Sequence, residues 1–142
     1  MNQRMSDPRA PLFGTHRLVE HWNRSAEGAI THQFGPAPIG YMSFDAAGHF
    51  SVHIVRTPAV PPFAHGPDKP RPEEALHLLE SYYSAFGTYD VDPVDAVIVF
   101  RTQGSTRPDL VGAEGRFPFR IVDGKLVIGD DNTWRRVWER VT

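Results

Sequence analysis

One stretch, "IGYMSFDAAGHFSVHIVR" from Ile39 to Arg56, leaves little room for anything but an antiparallel hairpin. Met42 and Phe44 alternate with Tyr41 and Ser43, "DAAG" supplies a short turn, and Phe50, Val52 and Ile54 alternate with Ser51 and His53. A period of two lines the apolar residues on one face of a strand, whereas a helix would scatter them around its circumference. The hairpin therefore has one greasy face, and the rest of the chain has to cover it.

That rest reads as more short strands. "LFGTHRLVEHW" precedes the hairpin, and "TYDV", "DAVIVFRTQ", "AEGRFPFRIV", "KLVIG" and "TWRRVWERV" follow it, with "VDGK" as a second hairpin turn. Thr57 to Pro72 holds six of the thirteen prolines and is a loop. Its last proline opens a helix predicted from Pro72 to Ala85, with Glu73 and Glu74 at the positive end of its dipole. The spacing of Leu79, Tyr82 and Phe86 predicts an apolar stripe on this helix, packed against the strands. About eight short strands joined by hairpins make an all-β chain, an antiparallel closed barrel whose interior holds side chains or one small ligand. The single helix is then a lid over one end or a brace on the wall.

At 142 residues and 16.0 kDa the chain is expected to form one domain. The expected division is a flexible N-terminal tail over 1–11 and a single barrel domain over 12–142. With no cysteine there is no disulfide framework and no thiolate metal site. A net charge of −2 without a basic run gives no footprint for nucleic acid, and no stretch approaches the ~20 apolar residues of a membrane span. These features predict a cytoplasmic protein without nucleic-acid or membrane partners, and leave room for a homodimer.

Taken in order, "LFGTHRLVEHW", "GYMSFDAAGHFSVHIVR", "YYSAFGTYDVD", "LVGAEGRFPFRI" and "VWERV" resemble the lipocalin-like domain family of small stand-alone barrels. The resemblance covers nearly all of the chain after residue 11 and implies a closed eight-stranded barrel with a central cavity. Related barrels carry hydrophobic small molecules or catalyse isomerisations and cyclisations, so the resemblance implies fold more firmly than function. Two positions depart from the family pattern. His16 stands where the opening strand normally carries Trp, and Phe100 and Arg101 stand where paired histidines are common.

The resemblance also implies that the first and last strands pair antiparallel, with His16 at the base opposite Arg140; because a cation beside an Arg is disfavoured, His16 is expected to be neutral at neutral pH. A constant register then sets Leu18 against Trp138, Glu20 against Arg136 and Trp22 against Trp134. On the other face it sets Arg17 against Glu139, Val19 against Val137 and His21 against Arg135. The bulkier face is assigned inward, which carries Glu20 and Arg136 into the cavity as an anion-binding fork beside a general base. The alternative is an exposed cross-strand bridge of little worth.

Two functional classes follow. The first is a binding protein whose cavity, lined by Trp22, Phe44, Val52, Ile54, Tyr89, Phe100, Phe119 and Trp134, takes one small hydrophobic, ring-bearing molecule. The second is a cofactor-independent isomerase, cyclase or dehydratase of a small hydrophobic metabolite. In that case Glu20 or His53 moves a proton, and Arg136 or Arg101 stabilises an oxyanion. A third reading is a protein interaction module. The seven histidines show no metal-ligand spacing, and neither a metal nor a cofactor is expected.

Overall fold

The computed structural model describes residues 7–141. Nine strands follow one another: β1 Gly14–Arg24, β2 Ile30–Thr31, β3 Ile39–Phe44, β4 His49–Val55, β5 Tyr82–Asp92, β6 Val97–Ser105, β7 Glu114–Val122, β8 Lys125–Gly129 and β9 Trp134–Arg140. Eight of them close antiparallel in the order β1, β3, β4, β5, β6, β7, β8, β9 and back to β1. The ninth, β2, adds only the pairs Asn23–Thr31 and Arg24–Ile30 to the far end of β1. Closure pairs each of these eight strands on both sides over at least part of its length, which limits the hazard of edge-to-edge pairing.

The predicted hairpin is β3–β4, and its greasy face points inward: Met42, Phe44, Phe50, Val52 and Ile54 are all buried. Each of the long strands β5 and β6 must bend to stay in a small barrel. The register between them shifts at Phe86–Gly87, where a Cβ on Gly87 would collide with the Arg101 carbonyl oxygen. Glycine at that point lets the two backbones cross closely.

One end of the barrel is filled. Phe44 meets Tyr89 edge-on at 4.9 Å and lies tilted against Phe100 at 6.1 Å, and the buried Ile98, Leu126 and Trp138 complete an apolar floor. Residues 1–6 of the expected tail lie outside the described residues. Residues 7–12 run through a turn into a single 3-10 turn, Ala10–Leu12, whose Leu12 is fully buried beneath this floor. His16 donates from Nε2 to the Leu12 carbonyl at 2.7 Å, and Arg140 donates to the carbonyls of Phe13 and Pro11. Burial first, and then the Arg140 charge, hold the His16 pKa below its ordinary value.

The helix α1 spans Pro72–Ser81, four residues shorter than predicted. Every residue from Tyr82 to Thr88 has a partner in β4, so the ladder of hydrogen bonds, together with the β preference of aromatic side chains, ends the helix early. The expected stripe does not pack against the barrel. Leu76 and Leu79 are 55% and 44% exposed, Phe86 points outward from β5, and α1 is neither a brace on the wall nor part of the cavity lining. Its ties are at its ends. Glu74 accepts from the backbone N–H of Arg71 at 2.9 Å and of Ala64 at 3.0 Å, and the Arg107 guanidinium reaches the carbonyls of Leu79 at 3.0 Å and Tyr82 at 3.3 Å.

Candidate functional site

Above the floor the barrel encloses a cavity of about 700 Å³. Its apolar wall comes from Met42 on β3, Phe50, Val52 and Ile54 on β4, Phe100 on β6, Phe117 on β7 and Ile128 on β8. Phe34, from the loop after β2, closes the gap where β1 and β3 diverge and stands edge-on to His21 at 5.1 Å. The wall is thinnest along the first half of β7. Residues 114–118 pair with β6 alone, and only 119–122 pair with β8. The cavity reaches this single-edged segment, and there Phe117 stands edge-on to Trp134 at 5.2 Å.

The polar content of the cavity depends on one extra residue in β1. His16, Arg17 and Leu18 pair with Arg140, Glu139 and Trp138 as the sequence predicts, but the register shifts at Val19, which bulges out 47% exposed. Beyond it Glu20 faces Val137, His21 faces Arg136, Trp22 faces Arg135 and Asn23 faces Trp134. A shift of one residue exchanges the faces of a strand. Glu20 and Trp22 therefore leave the cavity. On the outer face Trp22 Nε1 donates to Glu20 Oε1 at 2.8 Å, Arg135 lies 3.6 Å from Glu20 Oε2, and Arg24 covers the Trp22 ring. The predicted Glu20–Arg136 pair does not exist, and His21 takes the place of Glu20.

Arg136 points inward as predicted, without an acid. Its Nη1 donates to the carbonyls of Trp22 at 2.7 Å and Arg135 at 3.1 Å, and its Nη2 donates to Asn23 Oδ1 at 2.8 Å. The guanidinium lies 5.2 Å from the centroid of the Trp134 ring. Burial pulls its pKa down to about 10, which leaves it a cation at neutral pH. A guanidinium has five N–H donors. Three are used, so one on Nε and one on Nη2 have no protein acceptor among the described residues.

His21, Tyr83 and Arg107 are among the other polar side chains of the lining, with Gln33, Thr102 and Arg116 beside them. His21 is 4% exposed, its Nδ1 has no hydrogen-bond partner, and burial together with the Arg136 charge pushes its pKa down to about 3. Burial raises the pKa of the Tyr83 phenol, while the charges of Arg107 and Arg136 pull it the other way. Arg107 sits at the rim, its guanidinium already engaged by backbone carbonyls. Glu114 and Asp130 also reach the rim. Arg101 holds Glu114 at 2.8 Å, and Asp130 accepts the backbone N–H groups of Asn132 and Thr133 at 2.8 and 2.6 Å.

Of the residues singled out in the sequence, the cavity wall unites Val52, Ile54, Phe100, Trp134 and Arg136. Phe44 and Tyr89 lie in the floor below it, where the Tyr89 hydroxyl donates to the Asp45 carbonyl at 2.7 Å. Phe119 packs against the core, and its neighbour on the same face, Phe117, lines the cavity instead. His53 and Arg101 are on the outer surface, His53 bonded to Ser84 Oγ at 2.9 Å and Arg101 to Glu114. They are on outward positions of β4 and β6, so neither can meet a ligand inside. His21, Tyr83 and Arg107 were missed. Tyr83 was legible: the alternation of Val91 and Tyr89, continued back through Gly87 and Ala85, reaches it. Nothing in the sequence marks the bulge that turns His21 inward. Among the described residues no group of three or more His, Asp or Glu side chains could hold a metal ion, and no helix is long and apolar enough to cross a membrane.

No curated protein matches the sequence. Among solved structures, a point mutant of the fluorescent protein UnaG is similar at 15% identity, over 91% of this chain and 95% of that one, with a TM-score of 0.39. The lipocalin-like domain family matches residues 13–141, almost the whole described barrel. The chain belongs to the lipocalin-like domain family.

Proposed function

We propose that the cavity binds one small hydrophobic, ring-bearing molecule that carries an acidic group, with the hydrocarbon against the aromatic wall and the acid on Arg136. One observation supports this reading above the others. A guanidinium is held in an apolar cavity by neutral oxygens only, with two N–H donors unspent. Desolvating a cation costs several kcal/mol on the order of magnitude unless an anion compensates it, and no carboxylate of the described residues does so. Two adjacent guanidinium donors suit a carboxylate, which accepts them side by side. The size and aromatic lining of the cavity suit a ligand of a few fused or linked rings.

The isomerase, cyclase or dehydratase reading is less well supported, because Glu20, His53 and Arg101 all lie outside the cavity. Binding is the reading that needs no residue the cavity lacks. The experiment is a fluorescence titration with pyrenebutyrate and with pyrenebutanol, which share a ring system and differ in the acid. Wild type should prefer the acid by about tenfold to a hundredfold, as charged hydrogen bonds of about 1.5–3 kcal/mol require, and Arg136→Met should abolish the preference. Equal binding of the two probes by wild type would refute the reading.

A further inference from the structure

We propose that His21 is a second anchor for the acidic group: as a carboxylate settles on Arg136, the His21 imidazole takes up a proton, and the ligand is held between an imidazolium and a guanidinium. The inference rests on the Arg136 reading above and adds a partner to it. His21 and Arg136 are Cα partners across β1 and β9, on the same inward face, and side chains of such a pair are neighbours. His21 lines the cavity and carries a buried nitrogen, Nδ1, with no hydrogen-bond partner among the described residues. An orphaned buried polar atom is uncommon in a folded chain and calls for an explanation, which a ligand in the adjoining cavity supplies.

The surroundings of His21 decide its charge. Arg136 faces it from β9 and His32 from the loop after β2, where His32 Nδ1 meets the His21 carbonyl at 3.0 Å. Tyr83 and Arg107 face the same cavity from β5 and the rim. Among the described residues no carboxylate pairs with these groups: Glu20 points to the outer face, Glu114 and Asp130 are engaged at the rim, and Arg116 of the lining is held by Asp92. In the free protein burial and then the Arg136 charge disfavour a cation at this position, and His21 is neutral. A bound carboxylate opposes the Arg136 cause directly and offsets the cost of burial. It screens the Arg136 charge and offers the imidazolium an acceptor, so anion binding and protonation of His21 favour each other by linkage. The proton comes from solvent and returns there on release; no bond of the ligand is made or broken.

Pyrenebutyrate tests the proposal, because its carboxyl group stays ionised above about pH 5.5, as ordinary carboxylates do. Wild-type affinity should rise at least about tenfold between about pH 7.5 and about pH 5.5, the limit for one proton being about tenfold per unit. The affinity of His21→Gln should be flat over that range. A second measurement guards against misfolding of that variant: in wild type at about pH 6, saturating pyrenebutyrate should move the His21 ring nitrogens to imidazolium chemical shifts. An acid preference that Arg136→Met abolishes, with wild-type affinity independent of pH and the His21 ring still neutral when saturated, overturns this proposal alone. Equal binding of pyrenebutyrate and pyrenebutanol overturns the Arg136 reading and this proposal with it.

Discussion

Arg136 lays its guanidinium over the indole of Trp134, 5.2 Å from the ring centroid, while Asn23 accepts from its Nη2 at 2.8 Å. The indole fixes the plane of the fork and the amide fixes its rotation, so the remaining donors are oriented before any ligand arrives. Such preorganisation reduces the ordering cost of binding. Trp134→Leu keeps an apolar wall and removes the stacking. It should weaken pyrenebutyrate binding by about threefold to thirtyfold, following cation–π contributions of about 0.5–2 kcal/mol. Pyrenebutanol, titrated in parallel, should lose less.

Glu20 and Arg136 lie on opposite faces of the wall, so they should not be coupled. Glu20→Gln removes an exposed contact with Arg135 and should cost about 0–1 kcal/mol. Combined with Arg136→Met, the two effects should add within about 0.5 kcal/mol in urea unfolding. A coupling of several kcal/mol would restore the inward pair and discard the bulge at Val19.

His53 and Arg101 supply a control on the outer surface. Their partners are Ser84, on the outer face, and Glu114, at the rim of the cavity. Fluorescence titration of His53→Gln and Arg101→Gln should give wild-type affinity for pyrenebutyrate within about twofold, since surface changes away from a site are usually within ±0.5 kcal/mol. A larger loss in either variant would place the ligand outside the barrel.

Acid should destabilise the fold through two histidines. The folded-state pKa of His21 is about 3 and that of His16 is also lowered, against about 6.5 for an unfolded histidine. Below about pH 6.5 the unfolded chain binds protons that the folded chain refuses. The contribution of His21 is therefore intact above that pH and is lost as pH falls toward about 3, at a limiting slope of roughly 1.4 kcal/mol per unit. Urea midpoints at about pH 7.5, 6 and 5 should fall in wild type, and His21→Gln should reduce the slope. A slope unchanged by that variant would mean that His21 is not buried neutral.

The barrel was legible because alternation in β3 and β4 is unambiguous, and the His16–Arg140 pairing that the resemblance implies holds for three consecutive residue pairs. The site was legible only in part. In "RLVEHW" the apolar Leu18 and Trp22 fall on one face of an unbroken strand, so the pattern favours the constant register, and only the neighbouring strands decide that Val19 is the extra residue. The helix end was hidden for a related reason. Tyr82, Tyr83 and Phe86 fit a helical period locally, whereas Tyr83, Ala85, Gly87, Tyr89 and Val91 fit a strand, and the partner strand β4 settles the competition. Arg107 sits in a loop where no periodicity exists to read.

The most direct test of the account is a crystal structure of the protein with pyrenebutyrate. The account predicts the pyrene between Phe100, Phe117 and Ile54, with the carboxylate within hydrogen-bond distance of Arg136 Nε and Nη2 and facing His21. A pyrene inside the barrel with its carboxylate turned out to solvent, or a probe bound only on the outer face, would contradict it.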